Sequence, residues 1–451
     1  MVFAVVLILL VLGTVLFHFL SPWWFTPIAS NWQMMDDTVH VTFWVTGVVF
    51  VAVNLFLAYA IIRYRHRQGG EKAHYEPENK KLEGWLTVVT SVGIAAMLAP
   101  GLAVWAKFVT VPDDAAVVEV LGQQWAWSYR FPGKDGELGA TDVRLISVDN
   151  PFGMQPQDTK GHDDILVASP ELHLPLDKPV KIALRAKDVN HQFAVPQFRV
   201  KMDMVPGMVT YFWVTPTRTG AFDVLCEQLC GMAHFAMRGR VVVDEQAAFD
   251  QWLANQPTYQ QTRELTAGDA TAGQALFATC TACHGAQAEG NRQLNAPKLA
   301  GQAGWYLARQ LKDFKEGIRG THEKDVYAKQ MIPFAQTLAD DAAIRNVVAY
   351  ITSLPDARPA STVLGDPSRG KKLYATCQSC HGVDGRGVWS TSAPRLANMS
   401  DWYLARQLQN FRSGIRGTHP QDFNGAQMVS MAKVLADEQA INDLLDYVHT
   451  L

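Results

Sequence analysis

The chain lacks an excess of charge of either sign. It has 40 lysine and arginine residues against 43 aspartate and glutamate residues, which gives a formal net charge of −3. A charge this close to neutrality points neither to nucleic acid nor to a strongly acidic partner, so we expect no nucleic-acid function. The chain is too long for one ordinary core, since 451 residues suggest about three domains.

Isolated cysteines are missing as well. All six cysteines fall in close pairs that are followed by a histidine, namely Cys226 with Cys230, Cys280 with Cys283, and Cys377 with Cys380. No cysteine remains for a long-range disulfide, and three local pairs would close only small loops. This spacing favours cofactor attachment over a disulfide scaffold.

Charged residues are absent from three apolar stretches near the N-terminus, at 2–20, 39–62 and 85–106. Each stretch is close to the roughly 20 residues that a helix needs to cross a membrane. Residues 1–38 contain no lysine or arginine, whereas the loop before the third stretch holds Arg63, Arg65, Arg67, Lys72, Lys80 and Lys81. The positive-inside rule places this loop in the cytoplasm and the chain after Lys107 outside.

The first apolar stretch has the position of a signal peptide but not its composition. It has no basic n-region, and residues 18–22 offer no A-x-A cleavage pattern. We expect residues 1–20 to form an extra transmembrane helix or an uncleaved signal anchor, followed by a transmembrane hairpin at 39–107.

Short β-rich runs, such as 117–120, 180–184 and 240–243, are separated by Pro, Gly and Asp after the membrane segments. Many short strands in about 130 residues predict a β-sandwich or barrel. We place this all-β domain at 112–246. A helix and a polar linker should follow at 247–268.

The remaining chain is an internal duplication with a period of 97 residues. It aligns without a gap, and the heptapeptide at 305–311 recurs unchanged at 402–408. Helical patterning in both copies predicts two small all-α domains, at 269–356 and 368–451, with a linker at 357–367.

Each copy contains one C-x-x-C-H haem-attachment motif, formed by Cys280, Cys283 and His284 and by Cys377, Cys380 and His381. Two thiols on one helical turn can bond the haem vinyl groups, and the adjacent imidazole is then aimed at the iron. A single motif could be coincidence or half of a zinc site, but two equivalent copies favour haem. The repeats resemble class I cytochromes c of the dihaem type.

The second axial ligand of each haem should lie downstream, and Met331 and Met428 occupy matching positions. A thioether raises the haem potential, which suits electron transfer toward a strong oxidant. Core packing is the alternative role for any methionine on an amphipathic helix. In the second copy Met431 is a weaker candidate, since its counterpart is Phe334.

Soft donors are concentrated at 226–237, in the order Cys226, Cys230, His234 and Met237. Such donors select copper or zinc over hard cations. A mononuclear blue-copper site uses one thiolate, whereas a second thiolate can bridge two metals. His191 is the best candidate for the missing imidazole, and a structural zinc site is the alternative reading.

On these residues the chain resembles subunit II of haem-copper cytochrome c oxidases, in the variety extended by fused cytochrome c domains. The match covers residues 39–244 and includes the membrane hairpin, the aromatic run at 122–129, His191 before Ala-Val-Pro, and the Cys-to-Met loop. The resemblance implies a cupredoxin fold of Greek-key topology with a dinuclear CuA centre. Its implied ligands are His191, Cys226, Cys230, His234, Met237 and the backbone carbonyl of Gln228.

The resemblance also assigns roles to residues outside the copper site. Trp125 matches the tryptophan through which the family accepts electrons, and fused haems could supply that surface instead. Glu83 falls at the family's acidic proton-channel entrance, or is a solvated carboxylate at a helix end. Gln228 replaces the glutamate that helps the family hold a Mg ion at the boundary with subunit I, so that carboxylate is missing here.

The implied function is electron input to a respiratory oxidase that reduces dioxygen to water on subunit I. The expected partners are subunits I and III, membrane lipid, and a periplasmic donor such as cytochrome c or a quinol-oxidising complex. The location would be a bacterial inner membrane, with multiple spans and with the copper and haem domains outside. From chain order we predict that electrons pass from the Cys377 haem to the Cys280 haem and then to CuA. A nitric oxide reductase subunit and a membrane-anchored carrier without a catalytic partner remain alternatives.

Overall fold

We describe a computed structural model of the chain. It describes residues 2–21, 26–66, 77–147, 150–167, 169–231, 233–264 and 268–451. Arg67 and Lys72 of the basic loop lie outside these residues.

Three apolar helices open the chain: α1 Val2–Leu20, α2 Gln33–Arg63 and α3 Lys80–Val109. All three are long and apolar enough to cross a membrane by length and composition. Most of their large apolar side chains are exposed, as lipid-facing surfaces require. The expected N-terminal membrane helices are therefore confirmed as elements of the fold. The second and third begin five or six residues earlier than the apolar stretches, because polar residues continue the helix beyond the hydrocarbon length.

The all-β domain, residues 116–244, consists of two packed five-stranded sheets. The first has the order β3-β2-β1-β5-β8 and the second β4-β10-β9-β6-β7. Alternating apolar residues such as Val118, Ile182, Phe193 and Val241 fill the space between the sheets. The strands are β1 Ala116–Gln123, β2 Ala126–Phe131, β3 Ile165–Val167, β4 Glu171–Pro175, β5 Val180–Ala186, β6 His191–Val195, β7 Val200–Met204, β8 Thr210–Val214, β9 Gly220–Cys226 and β10 Arg238–Asp244.

The membrane helices are fixed to this β domain. Trp32 and Phe108, at the outer ends of α2 and α3, are buried in the same core as the sheets. Asp36 accepts a hydrogen bond of 2.7 Å from Arg199 Nε. The β domain is therefore held at the membrane surface.

The segment after β10 is more structured than a linker. Helix α4 spans Gln246–Ala254, and helix α5, Tyr259–Glu264, falls where we expected only polar linker. Tyr259 is buried beside Leu166, and Leu166 N donates to Pro257 O at 3.0 Å. The segment therefore packs on the β domain, because its aromatic residues Phe249, Trp252 and Tyr259 add to apolar clusters there.

The two C-terminal repeats are helical, as expected. The first repeat contains α6 Ala270–Phe277, α7 Thr281–His284, α8 Gly304–Lys315, α9 Val326–Lys329, α10 Met331–Gln336 and α11 Asp341–Ser353. The second contains α12 Pro367–His381, α13 Asp401–Arg412, α14 Phe423–Ala432 and α15 Glu438–Thr450.

The repeated glycines Gly273 and Gly370 explain how the first and last helices of each repeat cross. A Cβ atom at either position would lie 1.9 Å from a backbone oxygen, that of Asn346 or Asp443. Only glycine permits this approach, which brings the C-x-x-C-H segment of each repeat against its last helix.

Candidate metal and haem sites

The expected copper ligands come together at one end of the β domain. His191 begins β6 and Cys226 ends β9, and these two strands pair antiparallel with Phe193 opposite Cys226. The loop after β9 returns Cys230 to a position where its Sγ lies 3.7 Å from Cys226 Sγ. The ligand atoms of His191, Cys226 and Cys230 all lie within 4.8 Å of one another.

The remaining donors surround this pair of thiols. His234 Nδ1 lies 3.5 Å and Met237 Sδ 3.8 Å from Cys230 Sγ, and the backbone oxygen of Gln228 lies 3.2 Å from Cys226 Sγ. The site thus offers two sulfurs at bridging separation, with an imidazole on each side and two weak donors. The Gln228 side chain is exposed, so its backbone oxygen alone faces the thiols.

Three observations indicate that these donors suit a soft metal. His191 Nδ1 is buried without a hydrogen-bond partner, whereas its Nε2 lies 2.9 Å from an oxygen of Asp188. Asp188 therefore fixes the tautomer that leaves Nδ1 free to ligate. The neighbouring Cys230 thiol lowers the pKa of Cys226, and His191 acts in the same direction, while the nearby Cys226 sulfur raises the pKa of Cys230. One thiol of the pair therefore ionises more readily than the other.

The first haem site is a cavity in the first repeat. Cys280, Cys283, His284 and Met331 all line it. His284 Nδ1 lies 2.8 Å from the backbone oxygen of Pro297, which leaves Nε2 free for the iron. Burial lowers the pKa of His284, so the imidazole is neutral, as a ligand must be.

The second repeat reproduces the geometry of the histidine. His381 Nδ1 lies 2.7 Å from Pro394 O, and burial lowers the pKa of His381. Met428 lies on α14, and so does Met431. Met431 packs against the core of the β domain, which accounts for it without a ligand role.

A polar cluster joins the two repeats with two-fold symmetry. Arg319 donates to Gln310 of its own repeat and, at 2.8 Å, to Tyr403 of the other. Its counterpart Arg416 donates to Gln407 at 2.7 Å and to Tyr306 at 3.0 Å. We call these six residues the arginine cluster.

The arginine cluster lies at the wall of the first haem cavity, which Arg319, Gln310 and Tyr403 line. The Nε atoms of Arg319 and Arg416 are both buried and have no hydrogen-bond partner. A buried guanidinium N–H without an acceptor fits a ligand that carries carboxylates, as haem does with its propionates.

The second repeat, and not the first, packs next to the metal site. Trp389 contacts a cluster of β-domain residues, Phe423 stacks with Arg240 at 5.4 Å, and Met431 packs on the β-domain core. The prediction that the Cys280 haem lies nearest the copper site is therefore wrong. The prediction assumed that the repeat nearer in sequence is also nearer in space. The segment at 246–264 packs along the β domain, so it does not determine which repeat contacts the metal end.

Trp125 lies at the contact between the second repeat and the metal site. Its Nε1 donates to Cys230 O at 3.1 Å. Burial raises the pKa of the Cys380 thiol, and the nearby backbone N–H of Trp125 acts against this rise, so Trp125 also lies beside Cys380. The tryptophan is 7% exposed, so the residue expected to be an open electron-accepting surface is covered by the second repeat.

Glu83 lies in the first turn of α3 and is exposed. No other expected site residue lies near it among the described part of the chain.

Sequence reasoning missed several supporting residues. Asp188, which orients His191, stands three residues before it, and the spacing of an acid before a histidine was a usable signal. Pro297 and Pro394 recur 13 residues after the haem histidines, and their repetition marked them without revealing that their carbonyls accept from imidazole.

The chain matches two families of known proteins. The model described as "Cytochrome C oxidase subunit II, periplasmic domain" matches residues 116–245, and "Cytochrome c" matches 270–355 and 367–451. The alternative cytochrome c oxidase subunit 2 of Bradyrhizobium diazoefficiens is 58% identical over 259 residues, which cover 57% of this chain and 93% of that protein. Cytochrome c4 of Pseudomonas aeruginosa is 34% identical over 196 residues, which cover 41% of this chain and 90% of that protein. The crystal structure of the periplasmic domain of cytochrome oxidase subunit II (CoxB) of Bradyrhizobium japonicum is 27% identical, with a TM-score of 0.24, over 32% of this chain and 95% of that one.

Proposed function

Since the chain belongs to the cytochrome c oxidase subunit II family, extended by two cytochrome c domains, we propose that it collects electrons outside the membrane and delivers them to subunit I. It is thus a subunit of an oxidoreductase, and copper, haem c and electron transport follow from its families. The observation that carries the proposed route is the position of Trp125, which lies beside Cys380 of the second repeat and donates from Nε1 to Cys230 O at 3.1 Å.

We assign the copper ligands as His191, Cys226, Cys230, His234, Met237 and the Gln228 carbonyl. A thiolate-bridged copper pair would supply rapid one-electron exchange with little reorganisation. Asp188 holds His191 in the ligating tautomer, and Gln124 Nε2 and Trp125 Nε1 both donate to Cys230 O, at 2.8 and 3.1 Å. These bonds hold the metal loop in one position.

For the haems we assign Cys280, Cys283, His284 and Met331 in the first repeat and Cys377, Cys380, His381 and Met428 in the second. Pro297 and Pro394 orient the two histidines through their carbonyls. The arginine cluster would provide buried cationic donors for the carboxylates of a haem in the first cavity, whose wall it forms.

The contacts of the second repeat support a revised route. Electrons would enter at the first repeat, pass to the second, and cross from Cys380 through Trp125 to Cys230. The last step to a haem in subunit I completes the relay, and dioxygen would be reduced there. This subunit contributes spacing and potential, since the dioxygen chemistry belongs to cofactors of the partner.

Subunit I is the partner that the family implies, and we propose subunit III and a periplasmic donor in addition. The three apolar helices indicate membrane anchoring, with the β domain on the periplasmic side. We propose that the helices span a bacterial inner membrane and that Glu83, at the cytoplasmic end of α3, admits protons.

The proposal is tested on the purified complex by optical and electron paramagnetic resonance spectroscopy with metal analysis. We expect two haems c and one mixed-valence copper pair per chain, and oxygen uptake that stops when copper is removed by a chelator. Zinc without copper would contradict the metal assignment. Nitric oxide consumption without oxygen uptake would identify the acceptor as nitric oxide, and a native gel with this chain alone would indicate a free carrier.

A further inference from the structure

The 97-residue duplication allows one surface to be compared where it is covered and where it is open. In the second repeat, Trp389, Phe423 and Met431 contact the β domain. The residues 97 positions earlier are Arg292, Val326 and Phe334. The first repeat therefore presents the equivalent surface without a β domain of its own.

This surface of the first repeat is open and largely apolar. Val326 is 58% exposed, Leu294 50% and Phe334 41%, and Arg292 is exposed beside them. The counterpart of Leu294 is Thr391, which is buried and donates to Cys380 O at 2.8 Å. We call Arg292, Leu294, Val326 and Phe334 the first-repeat face.

The first-repeat face surrounds the opening of the first haem cavity. Leu294 and Phe334 line that cavity together with Cys280 and His284. An exposed apolar patch on a polar surface marks an interaction site, and an arginine among apolar residues is typical of interface composition. A protein seated here would approach the first haem as the β domain approaches the second.

We propose that the first-repeat face is the docking surface for a soluble one-electron carrier protein whose redox group lies within an apolar surface. The proposal rests on the proposed function, because the carrier protein would supply the electrons that the relay passes on. The covered counterpart argues for this partner, since the same surface in the second repeat seats a redox domain. The face has few apolar residues, so the buried interface is small and the complex is transient, as is typical of electron-transfer complexes.

Val326 provides a test that leaves the haem cavity intact, because it does not line the cavity whereas Leu294 and Phe334 do. Val326→Glu and Val326→Lys are made in the full chain within the complex, with Leu364→Glu as the matched control. Leu364 is 88% exposed and lies between the repeats. Stopped-flow absorbance measures haem reduction by a reduced soluble class I cytochrome c and, separately, by hexaammineruthenium(II).

We expect both Val326 variants to lower the second-order rate constant with cytochrome c at least tenfold, since either charge must lose its water on docking. The Leu364 variant should match the wild type, and all chains should react equally with the small reductant. Val326→Phe, which copies the second repeat, should retain at least the wild-type rate.

Three results would overturn the proposal. The first is an unchanged rate constant with cytochrome c in both charged variants. The second is opposite effects of Val326→Glu and Val326→Lys, which would indicate charge steering alone. The third is equal slowing with the small reductant, which would indicate a changed haem. The readout is the first reduction of haem. A chain that accepts electrons normally but does not pass them to copper would contradict the proposed function and leave the docking result standing.

Discussion

Trp389 offers the sharpest test of the contact between the second repeat and the β domain. Its side chain packs against a cluster of buried residues that includes Leu121, Phe152 and Tyr259. Substitution to alanine removes the ring and leaves a gap between the second repeat and the β domain. The gap stays open because the backbone of each domain is held in place by the core of that domain. The change should weaken docking and leave both domains folded.

The expected magnitude follows from the burial of the ring. Removing a fully buried tryptophan costs about 3–5 kcal/mol, and Trp389 is only partly buried, so we expect about 2 kcal/mol of docking free energy. At about 1.4 kcal/mol per factor of ten, the ratio of docked to undocked chains falls roughly 30-fold. Electron transfer from the second haem to copper should become slower and heterogeneous.

The assay is rapid photoreduction of the haems in the purified complex, followed by the return of the haem spectrum as copper accepts the electron. Arg292→Ala is the matched control, since Arg292 is the counterpart of Trp389 and lies on the open face of the first repeat. Haem content and thermal unfolding show that the variants are intact. An unchanged rate of haem-to-copper transfer in Trp389→Ala would refute the assigned route.

Two further predictions concern the metal loop. Cys230→Ser removes one of two thiols that lie 3.7 Å apart, and metal analysis with paramagnetic resonance should find about one copper per chain instead of about two; retention of the full amount would contradict a thiolate-bridged pair. Gln228→Glu places a carboxylate at this exposed position, while the backbone oxygen of residue 228 still faces Cys226. The variant should bind Mn²⁺, used in place of Mg²⁺, more tightly in the complex. Electron paramagnetic resonance should show this increase in Mn²⁺ binding and an unchanged copper spectrum.

The candidate ligands could be proposed from the sequence because each set is encoded locally, and the structure brings His191, Cys226 and Cys230 together. Their roles as ligands stay predictions. A C-x-x-C-H motif sits on one helical turn, and its histidine contacts the carbonyl of a proline only 13 residues later, Pro297 or Pro394. The copper loop is similar, since eleven residues return Met237 to the start of β10. Only His191 comes from a distant strand, and its Ala-Val-Pro context identified it.

The arrangement of domains could not be predicted in the same way. Contact between the second repeat and the β domain depends on a few surface residues, Trp389, Phe423 and Met431, whose role is invisible in one copy of the repeat. Comparison of the two copies could have indicated this contact, because the residues at the three positions differ between them. The first repeat has Arg292, Val326 and Phe334 there. A large aromatic residue replaces an arginine where a neighbouring domain is present.

The arginine cluster has a consequence for how this protein can be divided. Each guanidinium uses acceptors from both repeats, so a repeat expressed alone would expose Arg319 or Arg416 to water and lose the acceptors that the other repeat supplies. Tyr403 and Gln407 of the second repeat also line the cavity of the first, so a first repeat studied alone would have an altered cavity wall and would not report the properties of the native pair.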